Sequence, residues 1–185
     1  MDNTHESTSR NLRRFALVHK QDVEVPAEEA YRLINAVDEW PEFFPPCQSA
    51  RVVESSGRQL TIEISAQVGA SVRTWRSRRT LYADQHLVEF EQVDPFPPLK
   101  SMTGYWRVVP KAERLCTVEL GHTFETTAEL AARVEPPKTL AEAENWIRAV
   151  CDSNSHAELE ALRARCEGGR SRATRSVSTA GAHHG

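Results

Sequence analysis

The feature that most constrains this chain is a change of period: a series of alternating, strand-like segments gives way to one long amphipathic helix. Leu60, Ile62, Ile64, Ala66 and Val68 alternate with polar residues, the spacing of a half-buried strand. Phe15–Val25, Arg73–Leu81, His86–Val93, Met102–Val109 and Arg114–Phe124 read the same way, with a shorter candidate at Ala50–Val53. Consecutive strands at this spacing predict an antiparallel meander. Thr139–Cys166 then reads as a single helix, with Thr139 as its cap and Glu142 completing a capping box. Its inner stripe includes Ala143, Ile147, Val150, Cys151, Asn154, Glu158 and Leu162. The class is α+β. A curved sheet gripping the helix is the simplest way to bury both, and it leaves a cavity suited to an apolar ligand.

Between the first strand and the meander lies a shorter helix. Pro26 can open it, and Ala30, Leu33, Ile34 and Val37 recur at helical spacing over Glu28–Val37. The proline-broken aromatic stretch Asp38–Pro46 is expected to pack as an ordered loop.

Composition sets the outer limits. A chain of 185 residues fits one domain, and a net charge of −3 lacks the basic face a general nucleic-acid grip needs. No apolar run is long enough to span a membrane. Residues 1–11 are polar, and from Gly168 the chain turns small, polar and basic; both ends are expected to be disordered around a domain at 12–167. Met1–Arg14 carries no secretion signal, and Cys47, Cys116, Cys151 and Cys166 are widely spaced, so free thiols and a cytoplasmic setting are expected.

Three polar residues break the apolar pattern. On Arg73–Leu81, Trp75 and Leu81 point the odd positions inward and carry Arg79 with them. On Arg114–Phe124, His122 shares a stripe with Cys116, Val118, Leu120 and Phe124. On the long helix, Asn154 and Glu158 fall one turn apart within the inner stripe. Each also has a plainer reading: a solvated strand end for Arg79, a satisfied core histidine for His122, the helix rim for Glu158. Together they form a kit for proton transfer beside a stabilised oxyanion. The scattered His86, His122 and His156 do not suggest a metal site, and Cys47 reads as a packed thiol rather than a nucleophile. No phosphate-binding glycine loop follows a strand.

Five segments in order carry a family resemblance: Phe44-Pro-Pro46, Trp75-Arg-Ser-Arg-Arg79, Met102-Thr-Gly-Tyr-Trp106, Leu120-Gly-His-Thr-Phe124 and Asn154-Ser-His-Ala-Glu-Leu159. Over roughly Val23 to Cys166 the sequence resembles the aromatase/cyclases of bacterial type II polyketide synthases, in the START-like helix-grip superfamily. The resemblance implies first-ring aldol closure and dehydration of a poly-β-ketone carried on an acyl carrier protein, alongside other synthase components. It implies no metal or organic cofactor. It places the principal active-site arginine on Arg79, the histidine on His122 and an acidic partner on Glu158, where the nearest single-domain members carry Asp. It implies cavity walls at Trp40, Phe44, Cys47, Trp75 and Ser77, continued by Phe90, Met102, Trp106 and Asn154. His122 paired with Glu158 is expected to shuttle protons. The alternative within the superfamily is a non-catalytic carrier of a lipid or quinone.

Overall fold

The computed structural model describes residues 11–179. Seven strands form one antiparallel sheet: β1 (Leu12–Val23), β2 (Cys47–Ser56), β3 (Gln59–Val68), β4 (Ser71–Tyr82), β5 (Leu87–Gln92), β6 (Leu99–Ala112) and β7 (Leu115–Thr127). Their order is β1-β7-β6-β5-β4-β3-β2. β2 to β7 are the expected meander, and the first strand joins its far edge beside β7. The helices are α1 (Ala27–Asn35), α2 (Trp40–Phe43), α3 (Ala128–Ala132) and α4 (Leu140–Thr179). Together these make the helix-grip α+β fold.

Alternation along the strands decides which face is dry. Val23, Ile62, Val88, Val108, Val118 and Leu120 are fully buried on the inner face, where they meet Leu33, Ile34, Leu159 and Leu162 from α1 and α4. Each such side chain contributes about 1.5–3 kcal/mol by leaving water. α4 lies along β1, fixed there by His19 Nε2 and Asp152 Oδ1 at 2.8 Å. Its start is the expected capping box: the Thr139 amide donates to Glu142 Oε2 at 2.7 Å, and the Glu142 amide donates to Thr139 Oγ1 at 3.2 Å.

Three segments differ from the sequence reading. The Asp38–Pro46 stretch is not all loop: a 3₁₀ turn at Val37–Glu39 runs into α2, with Pro41 in its first turn. Proline is tolerated there because the amide it lacks would have no helical partner. The connection after β7 contains α3, capped by Thr127, whose Oγ1 accepts from the Leu130 amide at 3.3 Å. α4 continues past Cys166 to Thr179 as backbone helix, so the tail expected to be disordered from Gly168 is helical through that point. No proline occurs in that stretch, and arginine, alanine and serine all accept a helix. The remaining parts of the expected loose ends, 1–10 and 180–185, lie outside the described residues.

Two glycines have a geometric purpose. Gly69, at φ +59°, turns β3 into β4, and a Cβ there would press on the Trp146 ring at 3.1 Å. Gly104 on β6 stands between Phe90 of β5 and His122 of β7. A Cβ there would overlap the Phe90 ring and the Gly121 carbonyl oxygen. Phe90 therefore lies across bare backbone and meets His122 edge-on, with ring centroids 5.5 Å apart.

Candidate active site

Between the inner face of the sheet and α4 is a cavity of about 190 Å³. Arg79, His122 and Glu158 all line it, as do Trp40, Phe44, Cys47, Trp75, Ser77, Phe90, Met102, Trp106 and Asn154. Strand phase and helix spacing thus bring the expected site residues to the wall of one chamber. Gln92, Cys151 and Ser155 line it too. Gln92 carried the same signal as the others, a polar residue alternating with Val88 and Phe90 on an apolar stripe.

Arg79 is 1% exposed, the largest fully buried side chain of the described residues. Its Nη2 donates to the Ile34 carbonyl at 3.3 Å. That carbonyl belongs to the last turn of α1, where helical carbonyls lack partners and the helix dipole is negative. The guanidinium also stands over the Trp40 ring, 4.9 Å from its centroid. Burial lowers its pKa to about 10, which leaves it charged at neutral pH. Among the described residues its Nη1 has no hydrogen-bond partner, and neither have the buried Nε1 of Trp40 and Nε2 of Gln92. An unmet buried donor costs about 1–3 kcal/mol. All three residues line the cavity.

His122 faces a different neighbour from the one expected. Its Nδ1 lies 3.5 Å from Cys151 Sγ, and its ring stacks on Phe124 at 5.6 Å. Burial pushes its pKa down to about 4, so the imidazole is neutral at physiological pH. Glu158 sits seven residues beyond Cys151 on α4, which is about 10 Å along the helix axis. Among the described residues no hydrogen bond or ion pair joins Glu158 to His122 or to Arg79. The expected His122–Glu158 pair is therefore corrected: the helix spacing puts the two groups at separate stations along the cavity. Burial alone raises the Glu158 carboxyl to about 7, where it can both take and give a proton at neutral pH.

The remaining polar groups are quieter. Asn154 Nδ2 donates to the Gln67 carbonyl at 3.1 Å, tying α4 to the end of β3. The four cysteines are free thiols. Burial raises Cys47 and Cys151 to about 11, which keeps them protonated and poor nucleophiles. Among the described residues no three His, Cys, Asp or Glu side chains gather as a metal site would require, and no helix is long and apolar enough to cross a membrane.

Relatives share both sequence and shape. The chain is 35% identical over 151 residues to the granaticin polyketide synthase bifunctional cyclase/dehydratase of Streptomyces violaceoruber, covering 82% of this chain and 44% of that protein. It thus spans about half the length of the curated cyclase/dehydratases that it matches at 34–35% identity. It is also 31% identical over 104 residues to the ribosome association toxin RatA of Escherichia coli, covering 56% of this chain and 64% of that one. The Zhui aromatase/cyclase from Streptomyces sp. R1128 superposes with a TM-score of 0.78 over 84% of this chain and 94% of its own, at 24% identity. The family described as polyketide cyclase/dehydrase and lipid transport matches residues 23–137. With well over half of the chain inside that match, this protein belongs to the polyketide cyclase/dehydrase and lipid transport family.

Proposed function

We propose that this protein is an aromatase/cyclase that closes and aromatises the first ring of a poly-β-ketone delivered as a thioester on an acyl carrier protein. The observation that carries this reading is Arg79: a buried, charged guanidinium with a free N–H, inside an otherwise apolar chamber that also holds a neutral imidazole and a carboxyl titrating near 7.

The residues suit the chemistry. The methylene between two carbonyls is acidic, and ionised Glu158 removes one of its protons. The resulting carbanion attacks a second carbonyl carbon, and Arg79 donates to the oxygen that gains charge. That oxygen takes a proton to become a hydroxyl. The Glu158 carboxylate then removes a further carbon-bound proton and returns it to the departing hydroxyl, which leaves as water, and enolisation of the remaining ring ketone gives the aromatic ring. Low dielectric strengthens each of these contacts. Trp40, Phe44, Trp75, Phe90, Met102 and Trp106 shape the chain so that one pair of carbons meets, and such proximity supplies much of the rate. Size supports the reading as well. An apolar cavity of about 150 Å³ accepts benzene, so 190 Å³ has room for a single ring and its oxygens.

A passive carrier of a lipid or quinone, the other reading that the family's breadth keeps in view, could pair its own oxygens with the N–H donors but has no use for a buried carboxyl that exchanges protons near pH 7. Product analysis with a minimal polyketide synthase tests the choice. Adding this protein should turn a mixture of misfolded products into one product with an aromatised first ring. An unchanged product profile overturns the proposal.

A further inference from the structure

The unmet donors say more than that the ligand carries oxygen. Gln92 is 7% exposed, Trp40 7% and Arg79 1%; all three residues line the same cavity, and each has a buried side-chain N–H with no hydrogen-bond partner among the described residues. Gln92 ends β5, paired directly across from Ser77 on β4, and so stands one diagonal from Arg79. Backbone positions so related lie about 7–8 Å apart, within reach of two long side chains that face each other. Ser77 is itself buried on the cavity wall. An indole and a guanidinium can only donate. The pattern is therefore a short arc of donors across β4 and β5, with Trp40 of α2 against the Arg79 guanidinium.

We propose that Gln92 and Arg79, assisted by Trp40, clamp two neighbouring carbonyl oxygens of a 1,3-dicarbonyl segment, and that Gln92 determines specificity for the second oxygen. This rests on the poly-β-ketone reading and assigns a residue to it. One carbonyl satisfies Arg79. A ketone at the next alternate carbon satisfies Gln92, whereas a methylene there leaves its amide unpaired in a dry wall. Holding both oxygens also brings the two carbonyls toward one plane, where the carbanion left when the intervening methylene gives a proton to a base is best stabilised as an enolate. Gln92 acts by positioning and selection, and takes no proton itself.

Calorimetric titration of the purified full chain with nonane-2,4-dione and with nonan-2-one tests this. The wild type should bind the dione about 10-fold or more tighter, the effect of one satisfied buried donor. Gln92→Met, similar in volume, should bring the dione down to the monoketone's affinity and leave the monoketone within about two-fold of wild type. Equal weakening of both ligands would reduce Gln92 to a packing residue and overturn the clamp. So would a wild type that binds both alike. Gln92→Glu supplies a second handle, independent of how Gln92→Met folds. Its preference for the dione should be present while the carboxyl is protonated and vanish when it ionises, and a preference that ignores pH overturns the clamp. The reconstituted synthase separates the two proposals. A wild type that selects the dione but leaves the polyketide products unchanged sinks the cyclase reading alone. One that directs cyclisation without selecting the dione sinks the clamp alone.

Discussion

Arg78 and Arg79 are neighbours on β4, yet the pleat sends them into opposite worlds. Arg78 faces outward and forms an ion pair with Glu91 on the adjacent strand; Arg76, on the same face, approaches Glu63 at 3.7 Å. These charges are solvated and partnered, and such pairs contribute little. Arg79 faces inward with no carboxylate against it, held by one helix carbonyl and one indole ring. The outer face treats arginine as a solubilising group with a countercharge. The inner face retains it at a cost, which is the usual mark of a group kept for what it does to a ligand.

The contrast breaks most sharply at Arg79. Arg79→Met should lower cyclisation about 10²–10³-fold, the range for removing a principal oxyanion donor. Its melting temperature should hold or rise, because an uncompensated buried charge has been replaced by an apolar side chain. A large loss of stability would mean that Arg79 is structural, and the comparison with Arg78 would collapse. Next in size is Glu158→Gln, expected to slow cyclisation about 10²-fold. In the wild type the rate should rise with pH through about 7 as Glu158 ionises; the variant should lose that limb.

Stability against pH sharpens the picture further. Glu158 is raised in the fold, from 4.5 to about 7. The folded state therefore binds the extra proton, and its contribution to stability is lost as pH rises across that window. His122 is lowered, from 6.5 to about 4. The unfolded state binds that proton, so its contribution is present above 6.5 and lost as pH falls toward 4. The two slopes oppose one another. Relative to wild type, Glu158→Gln should make denaturation midpoints climb more steeply between pH 4.5 and 6.5, and His122→Gln should make them fall. Matching profiles for all three proteins would refute the burial of both groups. The smallest effect is expected outside: Arg78→Ala should change stability by no more than about 0.5 kcal/mol and leave the products alone.

Much of this was legible in the chain because strand period two leaves little freedom. Once Trp75 and Leu81 fix which face of β4 is apolar, Arg79 has nowhere else to point. The same logic placed His122, and helix spacing placed Glu158. Pattern could not give distances between elements. Whether His122 meets Glu158 or Cys151 depends on how far α4 slides along the sheet, which is settled by contacts such as His19 with Asp152. Short helices were also hidden. α2 lies in a stretch whose prolines argue against any helix, and α3 is a single capped turn too brief to show a period. Gln92 was readable by the rule that found Arg79, but an uncharged amide breaks an apolar stripe less conspicuously than a guanidinium does.

The bare backbone at Gly104 separates two properties that active sites usually entangle. Phe90 rests where a methyl group would otherwise stand, and from there it braces His122. The chamber's breadth at that point is thus governed by a residue without any side chain, two strands away from Arg79. A side chain at position 104 would push Phe90 off the backbone and so reshape the chamber beside His122 while leaving Arg79 and Glu158 in place. Shape at that end of the chamber and the charge set at the Arg79 end are thus under the control of different residues.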